Sequence, residues 1–159
     1  MTVKTTLKAC DVFSELSDSD LDQVAGFCAI QDFGAGTTIF AEGTPSDNLY
    51  VLESGKVVLQ MQLPAPKPQS SRRVSVDVVT KNEVFGWSAL VEPRRYTLTA
   101  VCLEPCKVLA IDGARLRVLF NRNKAIGYDL LTRMMAVVAS RLEETRHVLI
   151  SERTAANQG

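Results

Sequence analysis

Between Ala29 and about Asp112 the apolar residues recur at every second position, and glycine-bearing turns cut the stretch into short lengths. Gly34 and Gly36, the run Gly43–Asn48, and Gly55 are the punctuation. The pattern predicts strands at Thr37–Ala41, Leu49–Glu53, Lys56–Leu63, Arg73–Thr80, Tyr96–Cys102 and Cys106–Ile111. In the third of these, Val57, Leu59, Met61 and Leu63 alternate with Lys56, Gln60 and Gln62, as half-buried antiparallel strands do. Arg73–Thr80 repeats the device, setting Val74, Val76 and Val78 against Ser75 and Asp77. Short strands at near-even spacing imply a barrel-like or jelly-roll sheet system. The stretch Pro64–Arg72 carries three prolines in five residues, which cannot donate to a ladder, so it is expected as an exposed hairpin loop.

Helical patterns flank this region. A short helix is expected over Lys4–Cys10. Ser17 with Asp20 has the form of a capping box, Leu16 and Leu21 stand at hydrophobic-staple spacing, and Leu21, Val24, Ala25 and Cys28 mark one apolar face. After the strands, Asp112 is the expected N-cap of a helix over Gly113–Phe120, broken by Asn121–Asn123. From Lys124 to Thr154 no proline interrupts a helical pattern, which would make a rod roughly 45 Å long. Leu131, Met135, Val138, Leu142, Thr145 and Leu149 step by four and three along it, an a/d seam flanked by Arg141, Glu143, Glu144 and Arg146. That length and seam predict a parallel homodimer through Leu131, Met135, Val138, Leu142 and Leu149, rather than a stripe packed only on its own sheets. Gly127 is the one glycine in this pattern and stands near its start.

The stretch Val84–Ala100 carries the chemistry. Gly86 permits a tight turn, Trp87–Leu90 is long enough for one helical turn, and Pro93-Arg94-Arg95 precedes an alternating Tyr96–Val101. A glycine-led turn with free backbone N–H groups and an adjacent arginine fork suits a small anion. Either Arg94 or Arg95 could hold it, since strand alternation turns one of them inward.

Composition narrows the function classes. Lysine plus arginine equals aspartate plus glutamate at 18 each in 159 residues, which argues against direct nucleic-acid contact by this chain. No apolar run reaches the roughly 20 residues of a membrane span, and no signal-peptide pattern opens the chain, so a cytoplasmic protein is expected. Cys10, Cys28, Cys102 and Cys106 form no disulfide framework, and Cys102-x-x-x-Cys106 lacks the second pair or histidine a zinc site needs. His147 is the single histidine. No metal set, cofactor or nucleophile–base pair can be assembled, so no catalytic residue is expected.

The order Phe85-Gly86, short apolar helix, Pro93-Arg94, threonine-bearing strand resembles the phosphate-binding cassette of cyclic-nucleotide-binding domains. The series Phe33-x-x-Gly36-x-x-Ile39-Phe40-x-Glu42-Gly43 followed by Leu49-Tyr50-Val51-Leu52-x-x-Gly55-x-Val57 resembles the first half of that family's β-roll. The resemblance implies a mainly β fold: an antiparallel β-roll of jelly-roll type over 29–111, N-terminal helices over 1–28 and C-terminal helices over 112–155, forming one domain over 1–159. It implies ligand contacts at Phe85, Gly86, Trp87, Ser88, Ala89, Leu90, Arg94, Arg95, Tyr96 and Thr97. It also implies a regulatory module holding a cyclic nucleotide or other small anionic effector, with signalling through the C-terminal helix to a separate partner protein or a further output domain. A degenerate roll serving only as a dimerisation module is the alternative. In the family a glutamate usually follows Phe-Gly and receives the ribose hydroxyl; here Trp87 stands there, and indole only donates. Losing that charge-assisted bond weakens binding by roughly 1.5–3 kcal/mol, so cyclic AMP is not expected to bind at the usual affinity.

Overall fold

The computed structural model describes residues 2–64 and 72–158, so the loop expected at Pro64–Arg72 lies largely outside the described residues. Helices α1 (Val3–Ala9) and α2 (Asp18–Ala25) lead into strands β1 (Cys28–Phe33), β2 (Thr38–Phe40), β3 (Asn48–Ser54), β4 (Val57–Gln62), β5 (Arg73–Val79), β6 (Val84–Phe85), β7 (Thr99–Cys102) and β8 (Cys106–Asp112). Helices α3 (Gly113–Arg122) and α4 (Lys124–Gln158) close the chain. The strands make two antiparallel sheets, ordered β1-β8-β3-β6 and β2-β7-β4-β5. This is the antiparallel roll with flanking helices that the alternation predicts.

Two hydrophobic clusters hold it together, and β3 and β8 serve both. Leu49 and Val51 with Leu109 and Ile111 face the helices, packing on Phe13, Leu21, Leu116 and Leu130. Tyr50 and Leu52 with Val108 and Ala110 face the roll interior, against Leu59, Val79 and Phe85. A strand buried on both faces reads as a continuous apolar run, which is why Leu49–Leu52 shows no alternation. The caps form as the sequence predicts: Ser17 Oγ accepts from Asp20 N at 3.1 Å, and Asp112 Oδ1 accepts from Arg115 N at 3.1 Å.

The alternation misplaces several side chains for one local reason. Leu59 pairs with Asp77 but Gln60 pairs with Ser75, leaving Val76 as an extra residue on β5. The bulge resets the facing, so Asp77 turns inward with its side chain 15% exposed and Val78 turns out. Met61, beyond the bulge, is also exposed. β7 begins at Thr99 rather than Tyr96, because Arg95 bridges to Pro45 and Tyr96 N donates to Thr44 O at 2.9 Å.

In α4 the side chains that pack inward are Ile126, Leu130, Met134, Val137 and Arg141. The a/d seam read from the sequence is displaced from them by one residue, about 100° around the helix. Leu131, Met135, Leu142 and Leu149 therefore lie on the exposed surface, 45–71% accessible, and Val138 is half-buried. From Leu142 to Ser151 every side chain described is exposed.

Gly127 falls inside continuous helix and not at the break between α3 and α4. It lies buried within the first turns of α4, where an added Cβ would stand 3.0 Å from Phe120 Cβ and 3.2 Å from Phe120 Cα. The glycine lets α4 approach the backbone of α3. Alanine would gain about 1 kcal/mol of helix propensity but must push α3 aside, at about 1–3 kcal/mol. We predict that Gly127→Ala lowers stability by about 1 kcal/mol, a fall of roughly 2–4 °C in Tm. A Tm that rises would show that α3 yields freely.

Candidate functional site

β6 pairs with β3 through Tyr50 and Val51, which delivers Phe85 into the roll and places Gly86 at its end. Gly86 adopts φ 76°, and a Cβ there would meet Tyr50 at 3.2 Å and Phe40 at 3.3 Å. Only glycine turns the chain here without strain. The short 3-10 helix Trp87–Leu90 follows, as expected. Its inner side is spent on packing. Ala89 is fully buried beneath Gly113, its carbonyl accepts from Arg117 Nη1, and Leu90 joins the helix-side core.

The cavity beside this turn is lined by Phe40, Leu59, Gly86, Trp87, Ser88, Tyr96, Thr97 and Leu98. Its volume is about 30 Å³, room for a water molecule but far below a nucleotide site. Aromatic rings fill the space. Phe40 stacks on Tyr96 with centroids 3.8 Å apart, and Tyr50 on Phe85 at 5.2 Å. The Tyr96 hydroxyl donates to Asn48 O at 2.7 Å and accepts from Asn48 N at 3.2 Å. Burial raises its pKa well above that of free tyrosine, so the ring stays neutral.

Neither arginine of the Pro93-Arg94-Arg95 run lines this cavity. Arg94 sits at φ 57° and pairs with Glu92 at 2.8 Å, its side chain 43% exposed. Arg95 Nη1 donates to Gly43 O at 2.7 Å. Of the residues read from the cassette, Gly86, Trp87, Ser88, Tyr96 and Thr97 converge on the cavity, whereas Phe85, Ala89 and Leu90 are core and both arginines turn outward.

The cation at this site comes from elsewhere. Arg141, one α4 turn beyond Val137, is only 8% exposed. Its Nη1 donates to Asp77 Oδ2, its Nη2 donates to Glu83 Oε2 at 2.7 Å, and its guanidinium lies 5.7 Å from the centre of the Trp87 ring. Glu83 is steadied by Thr80 N, which donates to Oε1 at 3.0 Å. Arg141 Nε is buried with no partner. A second cavity of about 200 Å³ opens on this cluster, lined by Leu59, Val76, Asp77, Trp87, Leu98, Val138, Arg141, Leu142 and Thr145. Trp87, Leu59 and Leu98 form the wall between the two cavities.

Sequence reasoning missed Arg141, Asp77 and Glu83. A signal for Arg141 existed: phasing α4 on Ile126, Leu130 and Met134 puts an arginine on the buried stripe, where a charge needs a partner. Asp77 had no such signal, because the bulge that turns it inward is a property of the pairing.

Cys102 and Cys106 are buried strand residues with free thiols, and burial pushes Cys102 up to about 12. Among the described residues no cluster of histidine, cysteine or carboxylate could hold a metal ion, and His147 is exposed on α4.

The family model of the cyclic nucleotide-binding domain matches residues 30–123, and the chain belongs to that family. It is 30% identical over 118 residues to a CRP-like cAMP-activated global transcriptional regulator of Mycobacterium tuberculosis, covering 74% of this chain and 49% of that protein. The chain thus spans about half the length of that relative. A solved structure of a candidate cyclic nucleotide-binding protein from Geobacter metallireducens superposes with a TM-score of 0.76 at 32% identity, over 89% of this chain and 99% of that one. A cyclic nucleotide-binding domain from Methylobacillus flagellatus shares the fold with a TM-score of 0.78 at 14% identity, over 94% of this chain and 82% of the other.

Removing the guanidinium leaves the largely covered Asp77 carboxylate, 15% exposed, without its partner. We predict that Arg141→Met costs about 3 kcal/mol in denaturant unfolding. Pairing it with Asp77→Ala should recover at least about 1 kcal/mol through coupling. Strict additivity in that cycle would mean the two groups do not stabilise each other.

Proposed function

We propose that this chain is a non-enzymatic regulatory module, acting in the cytoplasm, that binds a small anionic effector in its β-roll and signals through α4. The observation that carries the reading is the contact between Arg141 of α4 and Trp87 of the cassette turn, reinforced by the ion pairs to Asp77 and Glu83. Any ligand that moves Trp87 or competes for Arg141 changes how α4 is held, so effector occupancy and helix position are linked. The mycobacterial relative is described as cAMP-activated, which supports a nucleotide-like effector, while Trp87 in place of a sugar-accepting carboxylate argues against ordinary cyclic AMP affinity.

The exposed apolar face of α4 supports a parallel homodimer through Leu131, Met135, Val138, Leu142 and Leu149. Output then passes to a separate partner protein or to a further domain. A second reading, a roll that only dimerises, is favoured by one observation: the cassette cavity holds about 30 Å³ and is packed with stacked rings.

Thermal unfolding against cyclic AMP, cyclic GMP, other nucleotides and small carboxylated metabolites separates the two. An effector at a hundred times its Kd stabilises the fold by about 2.7 kcal/mol, a rise of several degrees. We expect such a rise with one class of anion, lost in Arg141→Met, and none with low-micromolar cyclic AMP; a flat panel would favour the dimerisation module. Sedimentation should show Leu142→Glu as a monomer at concentrations where the parent chain is dimeric, and an unchanged dimer would remove the α4 seam from the interface.

A further inference from the structure

We infer that the free edge of β1 is a docking surface for a second copy of this chain, whose own β1 pairs with it as an antiparallel strand. β1 lies at one end of its sheet and is hydrogen-bonded to β8 on one side alone. One bond fixes the polarity of its backbone. Asp112 N donates to Phe27 O at 3.0 Å, so Phe27 and, in alternation, Ala29, Gln31 and Phe33 turn their N–H and C=O groups toward β8. Cys28, Ile30 and Asp32 therefore turn theirs outward, and no other backbone group among the described residues meets them.

The other three edge strands are blunted. β6 is two residues long and β2 three. β5 carries the bulge at Val76, the inward carboxylate of Asp77 and the tie to α4 through Arg141. Short length, bulges, inward charges and a covering helix are the devices that keep a sheet from extending. β1 has none of them. It runs for six residues in unbroken register, without proline, glycine, lysine or arginine. Its one charge, Asp32, stands near the end beside Lys107 at 3.9 Å. Ile30 is 43% exposed, although it stands opposite the fully buried Leu109 on the helix-facing side of the sheet.

This edge is complementary to itself. Antiparallel pairing joins outward-turned residues only to one another, so the register that uses all of them sets Ile30 of one copy opposite Ile30 of the other. Cys28 then faces Asp32 at both ends. That register makes about six backbone hydrogen bonds, and the nearest shifted ones make about four. The two Asp32 carboxylates stand at opposite ends of the ladder, so no like charges meet. Both Ile30 side chains are covered, side by side, and the two four-stranded sheets join edge to edge. This match of bonds, side chains and charges selects a second copy as the occupant.

The edge is separate from the α4 seam, so the full chain carrying Leu142→Glu isolates it. Sedimentation of that chain should show a monomer–dimer equilibrium at concentrations above those at which the parent dimerises. Adding Ile30→Lys sets like charges face to face at an exposed position, and should weaken that association about tenfold while the thermal transition is kept. With Ile30→Cys in its place, glutathione disulfide should give a covalent dimer joined at position 30 of both copies, as read by mass spectrometry, because hydrogen-bonded pairs stand about 5.5 Å apart at Cα. Gln31→Cys, on the other face of the strand, should not link. A chain that stays monomeric at its highest soluble concentration overturns the inference. So does an association that Ile30→Lys leaves unchanged, or a link through Gln31→Cys and not through Ile30→Cys.

Discussion

A buried guanidinium joins the two halves of this molecule. Arg141 lies on the face of α4 that otherwise carries only apolar residues, and it reaches across to a strand, a turn and an indole at once. A buried charge is tolerated only with partners of good geometry, and here the partners come from β5 and from the β5–β6 turn that leads into the cassette. Beyond Arg141 the helix leaves the roll and every described side chain through Ser151 is exposed. The position of the distal helix thus depends on a polar cluster rather than on a broad apolar contact. Polar clusters respond to competing ions and hydrogen-bond donors; apolar contacts do not.

The roll itself is held by apolar packing. Its interior is stacked aromatic and aliphatic side chains, and the glycines that shape it are there for space as well as for dihedral freedom. At Gly55 a Cβ would stand 2.5 Å from Pro105 O, and at Gly86 it would enter the Phe40–Tyr50 pair. Phe40, Tyr50, Phe85 and Tyr96 form one stacked aromatic group inside the roll. The cavity beside the cassette turn is about 30 Å³, and on the far side of Trp87 a cavity of about 200 Å³ lies under α4.

Much of the fold is legible in the amino-acid order alone. The capped helix after Ser17, the turn at Gly86, the helix after Asp112 and the long final helix all follow from local chemistry: a side-chain oxygen at an N-cap, a glycine at positive φ, an uninterrupted helical period. The exposed seam of α4 is also readable, because it is a one-dimensional pattern. The candidate site is half legible. Gly86, Trp87, Ser88, Tyr96 and Thr97 converge as the cassette order suggests, but Arg94 and Arg95 turn to loop partners. Strand alternation could not place them, since the chain at Tyr96 is held to the Thr44 loop instead of running as a strand.

The sequence by itself determined the element types, their order and the family, because these depend on residues near one another in the chain. It also placed Trp87, whose indole can only donate, directly after Phe85-Gly86. Tertiary structure alone decided which arginine is buried, which carboxylates meet it and where space remains. Asp77 and Arg141 are 64 positions apart. Their meeting requires a bulge that exists only when β5 pairs with β4, and a helix phase set only when Gly127 lets α4 close on Phe120. Contacts of that kind depend on register and close packing between distant segments, which no local pattern encodes.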